Sequence, residues 1–571
     1  MTICRIPDGA ASCFGHIRDF FNSLGGAGFL VLDVKHTERA KCIAPMILCS
    51  DSMALNPLFI TTAIDYTNAA PHIGHAYEKI LADVIARHYR QRGREVFFLT
   101  GVDQHGQKVQ QAAQREGVES MEFAARTTQS FLSLWQKLGI SYDAWAATTD
   151  EKHKRVVREI LTALHARGEL YKASHNGFYS VRQEQFLTEK DRNPEGEFGE
   201  EWGEVVEIEE ENWYFRLSNF KAWLEGFLDA SPSFVFPEYR GRELRNAVDR
   251  LSGDLCISRP KSRLSWGIEL PFDPDFVTYV WFDALINYIS FSGYLSDSSS
   301  ERDAFSNRWP SATHIIGKDI LVPAHGVYWP AMLKAMGFAD AEMPKLIVHG
   351  YINLAGSKIS KSLGNVVDPC ELADKYGAET LRYYLMRDCV CGQDMDFNEE
   401  RLVSRFNVDL ANGLGNLLNR TLNMTQRYRD GVLQAPTQPS EEAAALIDAG
   451  RASMQAVREA FDANQPHAAL EAVSALVGKA NAFAESEAPW KLAKDPAQAD
   501  RLTGVLAAMA DAVWTAATAL IPFIPEKAAA VLEQLQLHPR RISGDAESLP
   551  ENHRVSSPVP VFPRIEVPAN A

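Results

Sequence analysis

The sequence has no uninterrupted apolar run approaching the roughly 18 residues that a membrane-crossing helix needs, so no membrane role is expected. Cysteine is sparse and scattered: Cys4, Cys13, Cys42, Cys49, Cys256, Cys370, Cys389 and Cys391, with no Cys-x-x-Cys pair. A zinc knuckle or a disulfide framework is therefore disfavoured, and reduced thiols in a cytoplasmic protein are expected. Positive charge is also in deficit. Lys and Arg number 58 against 74 Asp and Glu, a net charge of −16. Such a chain does not coat nucleic acid indiscriminately, although local basic patches remain compatible with a nucleic-acid partner. There is no internal repeat and no basic segment leading into an apolar signal core, and Asp8, Asp19, Asp33 and Glu38 weaken a transit-peptide reading. What is present is ordinary: 571 residues, 46% apolar and 23% charged, enough for three or four globular domains.

Residues 1–55 hold four of the cysteines, a Gly25-Gly26-Ala27-Gly28 patch and no sustained period. They are expected to form a poorly ordered N-terminal extension, with the fold starting near Met53. From Pro57 short apolar runs alternate with amphipathic stretches. Leu58–Ala63 and Glu95–Thr100 are predicted strands; Tyr77–Arg92, Gln107–Glu116, Ser120–Leu138 and Glu151–Arg167 are predicted helices. That rhythm implies a doubly wound parallel sheet binding ligands beyond the carboxyl ends of its strands. It breaks over 168–275, where short aromatic strands (Gly177-Phe178-Tyr179-Ser180), an acidic stretch (Glu197 to Glu211) and many Pro, Gly and Trp residues read as an insertion. It returns over 276–365, with Tyr279–Phe291 a helix, Ala312–Gly317 a strand, His325–Met336 a helix and Lys345–Val348 a strand. A linker is expected over 366–398, a helix bundle over 399–545, and a Pro-rich surface tail over 546–571. The expected class is thus α/β: a split, Rossmann-like parallel sheet with an inserted connective domain, followed by an all-α bundle.

Two distant segments make best sense as halves of one nucleotide site. His72-Ile73-Gly74-His75 follows the first strand and opens a helical pattern, so it combines free backbone N–H groups, a positive dipole end and two imidazoles on one turn. Gly74 would let a nucleotide approach the backbone. Gly356-Ser357-Lys358-Ile359-Ser360-Lys361-Ser362-Leu363-Gly364 has the composition of a mobile loop that delivers two ammonium groups to a triphosphate. Either segment alone is weak; a His-x-Gly-His tetrad is usually incidental and a Lys/Ser loop is usually just solvated.

Together, in this order, they resemble the signature pair of class I aminoacyl-tRNA synthetases, with Ile359 standing where that class commonly has Met. The match narrows further. Thr61-Thr62-Ala63-Ile64-Asp65-Tyr66-Thr67-Asn68, Gly101-Val102-Asp103-Gln104-His105-Gly106, Tyr279-Val280-Trp281-Phe282-Asp283-Ala284-Leu285-Ile286-Asn287-Tyr288 and Ile316-Gly317-Lys318-Asp319-Ile320 resemble the methionyl-tRNA synthetases, and the similarity runs from about Pro57 to Glu566. The resemblance implies ATP-dependent activation of L-methionine to methionyl-adenylate and transfer to the 3′ end of tRNA(Met), for initiation and elongation. It implies His72, His75, Lys358 and Lys361 as catalytic, and Gly74, Glu78, Gly317, Asp319, Lys361 and Ser362 as ATP contacts. Ile64, Tyr66, Asp103, Trp281, Ala284, Leu285, Tyr288 and His325 would hold methionine, Asp103 through the α-ammonium group. Asn416, Arg420 and Trp490 would read the anticodon.

The residues themselves suit these roles. Trp281, Ala284, Leu285 and Tyr288 fall at i, i+3, i+4 and i+7 on one helix face, and an aromatic slot favours a polarisable thioether. Taken alone, that stripe reads as core, Asp103 as a possible helix cap and Trp490 as bundle packing. Mg²⁺ is expected to accompany ATP through its phosphates. Three departures from the family matter. The Ile320–Trp329 segment runs one residue longer than in many relatives, which loosens the placement of His325. The 168–215 region has no cysteine, and Ser180 stands where some members have Cys, so no structural zinc is expected. The chain stops after Phe562-Pro563-Arg564-Ile565-Glu566, so a monomer is expected. Two rival readings stay open. Another synthetase of the same subclass would need a large editing domain, for which the insertion is too short. A nucleotidyltransferase sharing the His-x-Gly-His site would have no use for the helical domain.

Overall fold

A computed structural model describes residues 56–180, 185–187, 192–193, 195–354, 356–358, 367–434, 439–542 and 547–566; at Ser357 and Lys358 only the backbone enters the description. The expected extension 1–55, and Lys361 and Ser362, lie outside the described residues.

Seven strands form the main sheet: β1 (Leu58–Thr62), β2 (Asp65–Tyr66), β3 (Val96–Asp103), β4 (Ala144–Ala147), β5 (Val235–Phe236), β6 (Ala312–Gly317) and β7 (Lys345–His349). Every pairing is parallel: β1 lies between β3 and β6, β7 pairs β6 and β5, and β3 also pairs β2 and β4. The chain leaves β1 towards β3 on one side and returns as β6 on the other. The carboxyl ends of β1 and β6 therefore flank the switch point at which open parallel sheets bind ligands.

Both sheet faces are covered, which explains why the strands read as continuous apolar runs. Leu58, Ile60, Phe98, Ile315 and Ile347 belong to a core shared with the Ile73–Gln91 helix and the C-terminal helices. Phe59, Leu99, Ile316 and Val348 point the other way, into a core with the Glu151–Ala166 and Trp329–Met336 helices. Alternate residues serve opposite faces, as the two-residue strand period requires.

Several boundaries differ from the sequence reading. The first helix starts at Ile73, not Tyr77, because the His72 side chain caps it. The expected Tyr279–Phe291 helix is two short ones, Val280–Leu285 and Asn287–Ser290. The helix expected from His325 starts at Trp329, preceded by a wide-wound Leu321–Tyr328 stretch that carries His325. Strand β4 gave no signal because it is a four-residue run, Ala-Trp-Ala-Ala, without branched residues. The strand Val205–Phe215 starts within the acidic stretch and runs past its end, antiparallel to Leu170–Ser180 along its whole length. Within 168–275, β5 joins the main sheet beside β7.

From Glu399 to Leu535 the described chain is almost wholly helical. Its central helix, Ala499–Leu520, belongs to a stretch long and apolar enough to cross a bilayer, yet 94% of the most apolar 18-residue part of that stretch is buried. A bundle core accounts for its composition. The expected surface tail is partly built in: His553–Arg554 pairs with Val432–Leu433, and Val555 and Phe562 are buried.

Candidate active site

The turn after β1 is organised by its two histidines. His72 Nδ1 accepts from the Gly74 N–H (3.1 Å), and His75 Nδ1 accepts from the His72 N–H (3.1 Å). Because both Nδ1 atoms accept, each neutral ring carries its proton on Nε2. The rings lie 3.9 Å apart, and His75 meets Phe131 edge-on. The need for glycine at position 74 has a nearer cause than nucleotide approach: a Cβ there would sit 2.9 Å from His72 Cε1.

The second half of the expected nucleotide site reaches this turn through its ends. The Ile73 N–H donates to the carbonyl of Val367, just after the Lys/Ser loop (3.2 Å). The first residues of that segment, Ser357–Lys358, form a hairpin strand with Ile352–Leu354, which follows β7. The fold thus returns the chain to the His72 turn, although residues 359–366 lie outside the described residues. Gly317 ends β6, and a Cβ on it would lie 2.7 Å from Asp319 Oδ1; Asp319 is exposed on the short turn beyond.

Glu78, one turn along the helix, is buried and bridges to the end of β7: its Oε2 meets His349 Nε2 at 3.1 Å. Lys79, fully buried beside it, donates to Glu78 Oε1 (2.8 Å), Asp65 Oδ1 (2.6 Å) and the Ala63 carbonyl (2.9 Å). Burial raises the Asp65 carboxyl to about 7 despite its contact with Lys79. Burial also pushes Glu78 upward, but Lys79 and His349 bring it below the ordinary carboxylate value. Lys79 and His349 escaped the sequence reading because nothing local marks a lysine as buried. A charged residue at a core-facing helical position was the available signal.

The candidate methionine residues converge. Tyr66 and Asp103 are register partners across β2 and β3. Asp103 is buried and accepts long hydrogen bonds from the His105 N–H and the Thr148 hydroxyl, both 3.4 Å. It is not a cap: the Gln107–Glu116 helix starts at Gly106 without a side-chain acceptor. Gly106 has φ 111°, and a Cβ there would meet Tyr66 Oη at 2.5 Å and Val280 Cγ2 at 3.4 Å. The β3 exit is thereby pressed against the helix that carries Trp281. Ala284, Leu285 and Tyr288 are buried, while Ile64 and Trp281 are half-buried against the same core.

His325 lies on the Leu321–Tyr328 stretch beside Tyr288. Its Nδ1–H donates to the Ile320 carbonyl (2.9 Å), so its Nε2 accepts from the Tyr288 hydroxyl (2.8 Å). Burial lowers its pKa to about 4, so the ring is neutral near pH 7. Tyr288 also stacks on His314, 4.0 Å away, whose Nε2 accepts from the Trp329 indole (3.1 Å).

In the bundle, Asn416 is exposed and Arg420 is half-buried one turn further along the Asn416–Arg429 helix. The Arg420 guanidinium lies 5.5 Å from the Trp490 ring centre and pairs with Glu485 at 2.7 Å. Trp490, on the short Pro489–Leu492 helix, is half-buried rather than enclosed. Among the described residues, no group of three or more His, Cys, Asp or Glu is arranged to hold a metal ion.

A parallel sheet with a His-x-Gly-His helix cap at its switch point, followed by a helical domain, defines a class I aminoacyl-tRNA synthetase. Residues 58–422 match the family model for class I tRNA synthetases (M), and residues 434–569 match the anticodon binding domain of methionyl tRNA ligase. The chain belongs to the methionine–tRNA ligases. It is 39% identical to the Rhizobium meliloti methionine–tRNA ligase over 90% of this chain and 99% of that protein. With the Deinococcus radiodurans enzyme the identity is 41% over 84% of this chain and 70% of that one. Among solved structures, Mycobacterium tuberculosis methionyl-tRNA synthetase bound by methionyl-adenylate superposes with a TM-score of 0.83 at 37% identity, covering 89% of this chain and all of that one.

Proposed function

We propose that this chain joins L-methionine to ATP as methionyl-adenylate and passes the methionyl group to the 3′ end of tRNA(Met), initiator and elongator alike, as a cytoplasmic monomer. The observation that carries the site assignment is the Ile73–Val367 hydrogen bond, which returns the end of the Lys/Ser loop to the histidine turn.

In the first step the methionine carboxylate attacks the α-phosphate and pyrophosphate leaves. No covalent enzyme intermediate is needed, so positioning and charge stabilisation carry the rate. His72 and His75, each an Nε2–H donor, stabilise the pentavalent phosphate. Lys358 and Lys361 follow the departing pyrophosphate, assisted by Ser362. Gly74, Glu78, Gly317 and Asp319 hold the adenosine, and Mg²⁺ arrives with the nucleotide on its phosphates. Asp103 takes the α-ammonium group, and Ile64, Tyr66, Trp281, Ala284, Leu285, Tyr288 and His325 enclose the thioether. Asn416, Arg420 and Trp490 receive the unstacked anticodon, as single-stranded loops are generally read.

ATP–pyrophosphate exchange across the standard amino acids tests the reading. Methionine alone is expected to drive exchange strongly. Exchange driven by leucine, isoleucine or valine in its place would transfer the assignment to another synthetase of the class.

A further inference from the structure

Asp283 is a fully buried carboxylate that the mechanism above does not use. Asp283 lies on the Val280–Leu285 helix between Trp281 and Ala284, with no exposure. Its Oδ2 meets His105 Nδ1 at 2.7 Å and its Oδ1 meets His153 Nε2 at 2.7 Å. His153 Nδ1 in turn meets the Ser290 hydroxyl at 2.8 Å. All four residues are buried. A carboxylate only accepts, so His105 carries its proton on Nδ1 and His153 on Nε2, and the Ser290 hydroxyl donates to the latter's Nδ1 when that ring is neutral.

Two of the three segments that meet at Asp283 carry residues of the methionine slot. His105 belongs to the turn after β3, and its N–H donates to Asp103 Oδ1 at 3.4 Å. That turn is held from outside as well: the Trp266 indole donates to the Gln104 carbonyl (2.6 Å), and the Gly106 N–H donates to the Trp266 carbonyl (3.2 Å). Asp283 and Ser290 bracket the helical wall that bears Ala284, Leu285 and Tyr288. His153 sits on the Glu151–Ala166 helix behind both. Burial alone would raise the Asp283 carboxyl, yet the two imidazoles bring it to about 2, so the charge persists at working pH.

We propose that Asp283 is a positioning residue for the amino-acid substrate: through His105 and His153 it clamps the turn that carries Asp103 to the helical wall that lines the thioether slot. This rests on the methionine-site reading above and adds a residue that touches no substrate. The clamp sets the spacing between the ammonium anchor and the aromatic wall, so its loss affects methionine binding and spares the nucleotide.

The chemistry supplies a mild variant. An amide at 283 keeps one oxygen for the His105 proton and turns its NH₂ to His153. The His153 proton then moves to Nδ1 and is accepted by Ser290, so the site stays filled while its charge is lost. Asp283→Asn is therefore expected to retain most methionine affinity, whereas Asp283→Ala, which removes both bonds, is expected to raise the methionine KM in ATP–pyrophosphate exchange about tenfold or more, with the ATP KM within about twofold of wild type. His105 offers an independent pair should Asp283→Ala fold poorly. His105→Asn places an N–H where Nδ1 stood and is expected to retain most methionine affinity; His105→Leu removes the donor and is expected to lose it. An unchanged methionine KM in Asp283→Ala, parallel rises in both its KM values, or equal behaviour of the two His105 variants would overturn the proposal. A wild-type chain that fails to exchange with methionine at all would instead defeat the functional reading beneath it.

Discussion

Single residues in this molecule owe their behaviour to neighbours brought from far along the chain. His72 and His75 are the exception, since each satisfies a backbone N–H within its own turn. His88, four turns further along the same helix, shows the other case. Its ring is buried and stacks on Phe461 at 3.7 Å and 5°, and among the described residues neither of its nitrogens has a hydrogen-bond partner. Burial, aided by Arg92 and Arg458, drops its pKa from 6.5 to about 3. A folded-state value below the unfolded one means the folded state binds fewer protons. The stabilisation is complete above pH 6.5 and is lost as pH falls through that value towards 3, at about 1.4 kcal/mol per unit. His325, lowered to about 4 by burial, acts in the same direction. From pH 7 to pH 5 the unfolding free energy from urea titration should therefore fall further for the wild type than for His88→Leu, by about 2 kcal/mol, and equal losses would exclude His88 as the sensor. Residue type alone does not mark His88 as buried; the facing bundle decides that.

Elements were legible in existence and type where periodicity was long, and less so where a side chain from elsewhere set the boundary. The Ile73–Gln91 helix begins at His72 because an imidazole caps it, which Ser, Thr, Asp or Asn would have advertised more plainly. The same helix is the seam between sheet and bundle. Asp83 accepts from Arg382 at 2.7 Å, and that guanidinium also donates to the carbonyls of Leu138, Pro522 and Phe523. Arg382 is buried, so the pair is screened little and its loss leaves a carboxylate stranded in the core. Arg382→Met should cost about 3–5 kcal/mol in equilibrium unfolding. A loss below about 1 kcal/mol would mean that Arg87, the other partner of Asp83, carries the charge alone.

At the scale of the whole molecule, the histidine turn and Trp490 belong to separately matched regions, 58–422 and 434–569. Division of labour follows: Trp490→Ala should raise the tRNA KM in aminoacylation by roughly 1–3 kcal/mol in equivalent binding, with ATP–pyrophosphate exchange unchanged. A matching drop in exchange would make Trp490 a packing residue. The amino-acid sequence by itself determined the alternation that winds a parallel sheet, the two signatures, and the helical character beyond Glu399, because each is written in contiguous residues with a fixed period. It could not determine that β5 crosses from the insertion into the main sheet, that Asp283 sits between two imidazoles, or that Lys79 is sealed beneath the histidine turn. Those follow from which surfaces meet. A pairing of charges or strands across a hundred residues is decided by the free energy of burying both partners together, and no local pattern records it.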